Sequence, residues 1–178
     1  MLPTINGFLG IDFGVSRQTA VSLLTKKGGN YDQENSTESA IIFDGIVFAG
    51  RPTAFIILRF FNDAFFQGSV YFTVNPEAHT YQFYEQVKSE INANYFVTTL
   101  DYVTFHNPVY KDTALFNLGI QTGSTEISCF WKFPVSDAID NYISMKISAD
   151  LNVILSYEDG AIAEENEKQR LKANSQDF

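Results

Sequence analysis

The sequence predicts an α+β fold in which two helices pack on an antiparallel β-sheet, in the order helix, strands, helix, strands. Three observations carry this. Alternating apolar and polar residues recur in stretches from Ala40 to Glu158, and a period of two marks a half-buried strand. Two segments, 16–27 and 75–93, instead repeat apolar side chains at helical spacing. The strand-like stretches are separated by short turns such as Asn62-Asp63, and short connections join antiparallel neighbours.

The first helix is read in "GIDFGVSRQTAVSLL", residues 10–24. Ser16 is a good N-cap, Ala20, Val21, Leu23 and Leu24 form one apolar face, and Gly28-Gly29 ends the run. Lys26 and Lys27 suit the negative end of the helix dipole. The spacing therefore predicts a helix from about Arg17 to Lys27. Residues 28–39 read as a polar loop, with Asn35-Ser36-Thr37 as loop chemistry.

Strands follow in "AIIFDGIVFAG", "TAFIILRF" and "GSVYFTV", with turn signals at Asp44-Gly45, Gly50-Arg51-Pro52 and Asn62-Asp63. A second helix is predicted with Asn75 as N-cap, Pro76 at the first helical position and Glu77 complementing the dipole. Tyr81, Tyr84, Val87, Lys88 and Ile91 would give it an aromatic core face, ending near Ala93.

Four more strands are read in "YFVTTLDYVTF", "TEISCFWKF", "YISMKIS" and "NVILSYE". The second is the clearest, because Ile127, Cys129, Trp131 and Phe133 alternate with Glu126, Ser128, Phe130 and Lys132. Residues 107–123 fit neither period and read as a long functional loop or an irregular strand. Residues 1–158 form one α+β domain on this reading. Its halves, 8–75 and 76–158, share an element order that suggests a weak duplication. Residues 159–178 form a polar tail, either a peripheral helix with Glu164 and Lys168 at i,i+4 or a frayed end.

Composition removes several functions. The net charge is −9 and the basic residues are scattered singly, whereas a nucleic-acid binder needs a basic stripe to displace counterions. No apolar run is long enough for a membrane-spanning helix. The start "MLPTINGFLG" lacks the charged and long apolar regions of a signal peptide. With one cysteine, Cys129, no intrachain disulfide can form. Its apolar neighbours Ile127, Phe130 and Trp131 predict an inert buried thiol.

Neither His79 beside Glu77 nor His106 after Asp101 has a standard ligand spacing, so no metal site and no cofactor is expected. A Cys–His dyad would require Cys129 to meet one of these histidines in space. The aromatic residues are the remaining signal, with 17 Phe and 9 Tyr. If one sheet face packs the helices, Phe60, Tyr71, Tyr102 and Phe130 are candidates for a binding surface on the other. The function expected is non-catalytic binding of another protein. The alternative is a small hydrolase or ligand-binding domain with a site near 107–123.

Two resemblances bear on this. "GIDFG" resembles the first phosphate loop of the actin, heat-shock ATPase and sugar-kinase superfamily, which would give Asp12 and Gly14 roles at Mg²⁺ and phosphate. The helical periodicity after it and the absence of a second Asp-Gly phosphate loop argue for the capped helix instead. A larger part of the chain, roughly residues 8–158, is similar to small secreted or periplasmic proteins of Bacteroides-type bacteria and to the β-lactamase-inhibitor-protein fold. The segments that carry this are "FLGIDFGVSRQTAVSLLTKKGG", "FDGIVFAGRPTAFIILRFFNDAFFQGSVYFTV", "YQFYEQVKSEINANY" and "CFWKF…YISMKIS…NVILSYED". The same order also resembles the small lipoprotein of the outer-membrane β-barrel assembly machinery, although the lipoprotein cysteine near the start is missing. The resemblance implies a protein-binding module, set in the periplasm or outside the cell, with no catalytic residues.

Overall fold

The computed structural model describes residues 3–175. The chain is α+β, built from four helices and a large antiparallel sheet. It opens with a small hairpin, β1 (Gly7–Phe8) and β2 (Ile11–Asp12), and continues into α1 (Arg17–Lys26). The strands β3 (Asn30–Asp32), β4 (Ala40–Asp44), β7 (Phe55–Phe61) and β8 (Ala64–Thr73) follow, interrupted by a separate two-stranded hairpin, β5 (Val47–Phe48) and β6 (Arg51–Pro52). Next come α2 (Thr80–Asn94), β9 (Leu100–Phe105), α3 (Phe116–Gln121), β10 (Thr125–Pro134), β11 (Asp140–Ile147), β12 (Asn152–Glu158) and α4 (Gly160–Ser175).

The large sheet has the order β3-β4-β7-β8-β12-β11-β10-β9. Each half is a helix followed by four strands that meander from an edge to the centre, and β8 pairs antiparallel with β12 where the halves meet. Helices α1, α2 and α3 and the small hairpins cover one face, while the first turn of α4 lies against the other, beside Asp140, Tyr142 and Glu158. On the first face Ala20 and Leu24 of α1, Tyr84, Val87 and Ile91 of α2 and Ile120 of α3 join Phe43, Leu58, Val70, Trp131, Ile143 and Leu155 of the sheet in one core. Phe8 closes it near the sheet centre, its ring so near Gly68 that a Cβ there would lie 2.2 Å from it. A side chain at that position would expel the ring.

Local chemistry explains the borders. Ser16 caps α1 by accepting the Thr19 N–H at 3.2 Å, as its residue type predicts. Asn62 and Asp63, both at positive φ, form the β7–β8 turn, a conformation these short polar side chains tolerate. The Arg51 guanidinium donates two bonds to the Glu90 carboxylate and ties the β5–β6 hairpin to α2.

Several expectations need correction. Both helices expected on the sheet are present, as α1 and α2, and among the described residues the short α3 is added to them. The start of α2 is preceded by a 3-10 turn, Glu77–His79, with Pro76 extended before it and no side-chain cap bond, so Asn75 is not an N-cap. Part of the polar 28–39 loop pairs with β4 as β3, since backbone pairing at an edge needs no apolar pattern. Arg51-Pro52 is strand β6 and not a turn. The least readable stretch folds into a 3-10 turn, Pro108–Lys111, and α3, too short for helical periodicity to show. The tail is helical from Gly160, with Asp159 accepting the Ile162 N–H at 2.9 Å and Lys168 paired with Glu164 at 2.6 Å. Its last positions, 176–178, lie outside the described residues.

Candidate binding face

The face of the large sheet opposite α1, α2 and α3 is built by strand alternation. In β10 the core takes Ile127, Cys129, Trp131 and Phe133, so Ser128, Phe130 and Lys132 point the other way. Strand pairing aligns these outward positions into rows. One runs Ile57, Ser69, Ser156, Ser144, Phe130, Leu100 from β7 to β9. The next runs Phe55, Tyr71, Ile154, Lys146, Ser128, Tyr102. Three neighbouring serines at the middle of the first row leave a trough between bulkier side chains, and a cavity of about 260 Å³ lies there.

The trough has a polar floor and aromatic flanks. Ser69 and Ser156 share a hydrogen bond at 2.7 Å between their hydroxyls. Tyr71 stacks on Phe55 with ring centres 4.3 Å apart, and Phe130 meets Tyr102 edge-on at 6.2 Å. Arg59 and Lys146 also line the cavity, and neither has an ion-pair partner among the described residues. Two uncompensated cations on a chain of net charge −9 make this face locally favourable for negative charge. Beside them the Gln67 amide donates to the Glu158 carboxylate, whose pKa is raised by burial despite that bond.

Of the four candidate residues, the structure brings Tyr71, Tyr102 and Phe130 to this face. Phe60 must be corrected. It is 5% exposed, packs against Phe65 in the core and belongs to the inward set Ile56, Leu58, Phe60. Arg59 was the signal, because an outward arginine turns its neighbour inward. Phe55, two residues earlier on the outward parity as Ile57, is the aromatic that joins Tyr71. The serines Ser69, Ser144 and Ser156 were missed, since a serine carries no signal until the register aligns it with others.

The chemistry weighed against this face does not assemble. Cys129 is fully buried on the helix side beside Tyr84, and burial pushes its thiol up to about 12. His106 lies exposed on the other side of the sheet, its ring 3.2 Å from Glu126, so the two never meet. His79 sits exposed in the 3-10 turn before α2. Among the described residues no group of three or more His, Cys, Asp or Glu is placed to hold a metal ion. No described helix is long and apolar enough to cross a membrane. Asp12 and Gly14 serve the β1–β2 hairpin and the exit into α1, where the Gly14 N–H bonds the Phe65 carbonyl at 2.7 Å.

A second cavity, of about 590 Å³, lies beside the 107–123 segment on the helix side of β9. Its walls are Tyr81, Val103, Phe105 and Phe116, with Lys111 at its rim.

Fold and face together define an α+β protein with α1, α2 and α3 on one side of an eight-stranded antiparallel sheet and a serine trough on the other. Comparisons with protein families, with curated proteins and with solved structures return no match.

Proposed function

We propose that this protein is a non-catalytic binding module that holds another protein against the sheet face opposite α1, α2 and α3. The observation that carries the reading is the serine trough flanked by Tyr71, Phe130 and the cations Arg59 and Lys146, which form no ion pair among the described residues. Tyrosine anchors beside a dent that accepts an inserted side chain are what a protein interface uses. The cations select a partner that presents acidic groups, and they would speed its approach at low salt. The resemblance of the sequence to secreted and periplasmic proteins is in keeping with the same reading, and an extracytoplasmic setting is part of the proposal.

The test compares the wild-type chain with a Tyr71→Ala/Phe130→Ala double variant and a Ser156→Arg variant that fills the trough. Each is immobilised and exposed to bacterial envelope fractions. A protein held by the wild type and lost from both variants, with elution at raised salt, is the expected result. Identical capture by all three proteins would overturn the reading.

A further inference from the structure

We infer that the outer edge of β9 is a second docking site, one that adds an extended strand of a partner protein and seats one of its apolar side chains in the neighbouring cavity. This is independent of the trough, because it uses backbone groups and the opposite side of the sheet.

The edge comes first. β9 ends the large sheet and, among the described residues, is paired only with β10. The His106 N–H bonds the Ser124 carbonyl at 2.8 Å, and bonding alternates along an antiparallel ladder. The N–H and C=O groups of Asp101, Val103 and Phe105 therefore point away from β10. Proteins usually protect such an edge with shortness, charge, proline or a bulge. The far edge, β3, is three residues long. β9 has six, no proline, and one charge, Asp101, which is paired with Lys88 at 3.1 Å. Leu100, Tyr102 and Val103 are 50%, 46% and 43% exposed there.

The cavity says what the added strand carries. Side chains of a strand opposite Val103 and Phe105 would share their side of the sheet, where the 590 Å³ cavity is lined by Tyr81, Phe105 and Phe116. Rings of Tyr81 and Phe116 meet at 5.1 Å and those of Phe105 and Phe116 at 5.9 Å, giving apolar walls suited to an aromatic or branched aliphatic anchor. Lys111 lies over the Phe105 ring at 5.8 Å and makes no ion pair among the described residues. An acidic residue near the anchor would complete that charge. The occupant is thus an extended partner segment with alternating apolar residues, a large apolar anchor and an adjacent carboxylate, recognised as strand addition recognises its ligands.

The experiment uses a panel of fluorescein-labelled seven-residue peptides, Val and Thr alternating, with Phe, Leu or Trp at the centre and one Glu moved through the other positions. Fluorescence polarisation against the full chain should show saturable binding that is strongest for one Glu position. Hydrogen exchange of Val103 and Phe105 should slow when that peptide binds. Val103→Pro removes an outward N–H and should weaken binding by about tenfold or more, as should Ala114→Trp, which fills the cavity from an exposed loop. Lys111→Gln should abolish the preference for Glu, while Tyr71→Ala/Phe130→Ala should leave peptide binding unchanged. The inference is overturned if no peptide of the panel binds, or if Val103→Pro and Ala114→Trp bind as the wild type does. Concentration-dependent dimers lost in Val103→Pro, with no peptide binding, would also overturn it by making a second copy the occupant.

Discussion

Trp131 of β10 donates its indole N–H to the Asn92 side-chain oxygen of α2 at 2.8 Å. The indole is fully buried, and the same oxygen accepts the Thr98 N–H at 3.0 Å. One amide therefore fixes the helix, the sheet and the connection between them. Asn92→Ala should strand a buried indole donor and cost about 2–3 kcal/mol. Urea denaturation checks this by a lower midpoint at unchanged slope.

Ser16→Ala should cost about 1 kcal/mol by removing the α1 cap that binds the Thr19 N–H. Ser16→Asp, which keeps an acceptor at the positive end of the helix, should retain most of the stability, and thermal melts of the two variants measure the difference. Equal loss in both variants would mean the hydroxyl acts elsewhere.

The two aromatic sets should separate by stability. Phe60→Ala empties a core position against Phe65 and should cost about 3–5 kcal/mol. Tyr102→Ala, at a half-exposed site, should stay within about 1 kcal/mol. Chemical denaturation of the two variants measures the contrast.

Glu158 gives a pH-dependent prediction. Burial raises its folded-state pKa above the unfolded value, so the folded protein holds the proton more tightly and stability falls as pH rises through that window. The penalty is complete above the folded pKa and absent below the unfolded one. Glu158→Gln keeps an acceptor for the Gln67 amide and removes the buried charge. Its melting temperature should exceed the wild type at neutral pH, and the difference should vanish in acid.

Cys129 should resist a thiol reagent at neutral pH in the native protein, because burial both shields the sulfur and pushes its pKa up to about 12. In denaturant it should react fully. Rapid reaction of the native thiol would show that the sheet opens at β10.

Residues with a strong local preference were legible from the chain alone. Ser16 before a helical face, Asn62-Asp63 between two apolar runs and the alternation around Trp131 each act within a few residues. Their elements appear where the local chemistry put them. Segments whose structure depends on a distant partner were not legible. β3 exists because β4 offers an edge, and α3 is held by β10, where a Cβ on Gly119 would meet the Thr125 hydroxyl oxygen at 2.5 Å.

The sequence by itself determined the class of protein, the helical and strand periods, the inert cysteine and the aromatic wealth of the sheet. Only the tertiary structure decided which aromatic residues reach solvent. The side-chain period of a strand says which residues share a face, while the packing of helices says which face is covered. That is why Phe60 went to the core while Tyr71, Tyr102 and Phe130 stayed outside. Three serines far apart in the chain became one trough for the same reason: strand register, set by pairing across the whole sheet, brings Ser69, Ser156 and Ser144 into a single row.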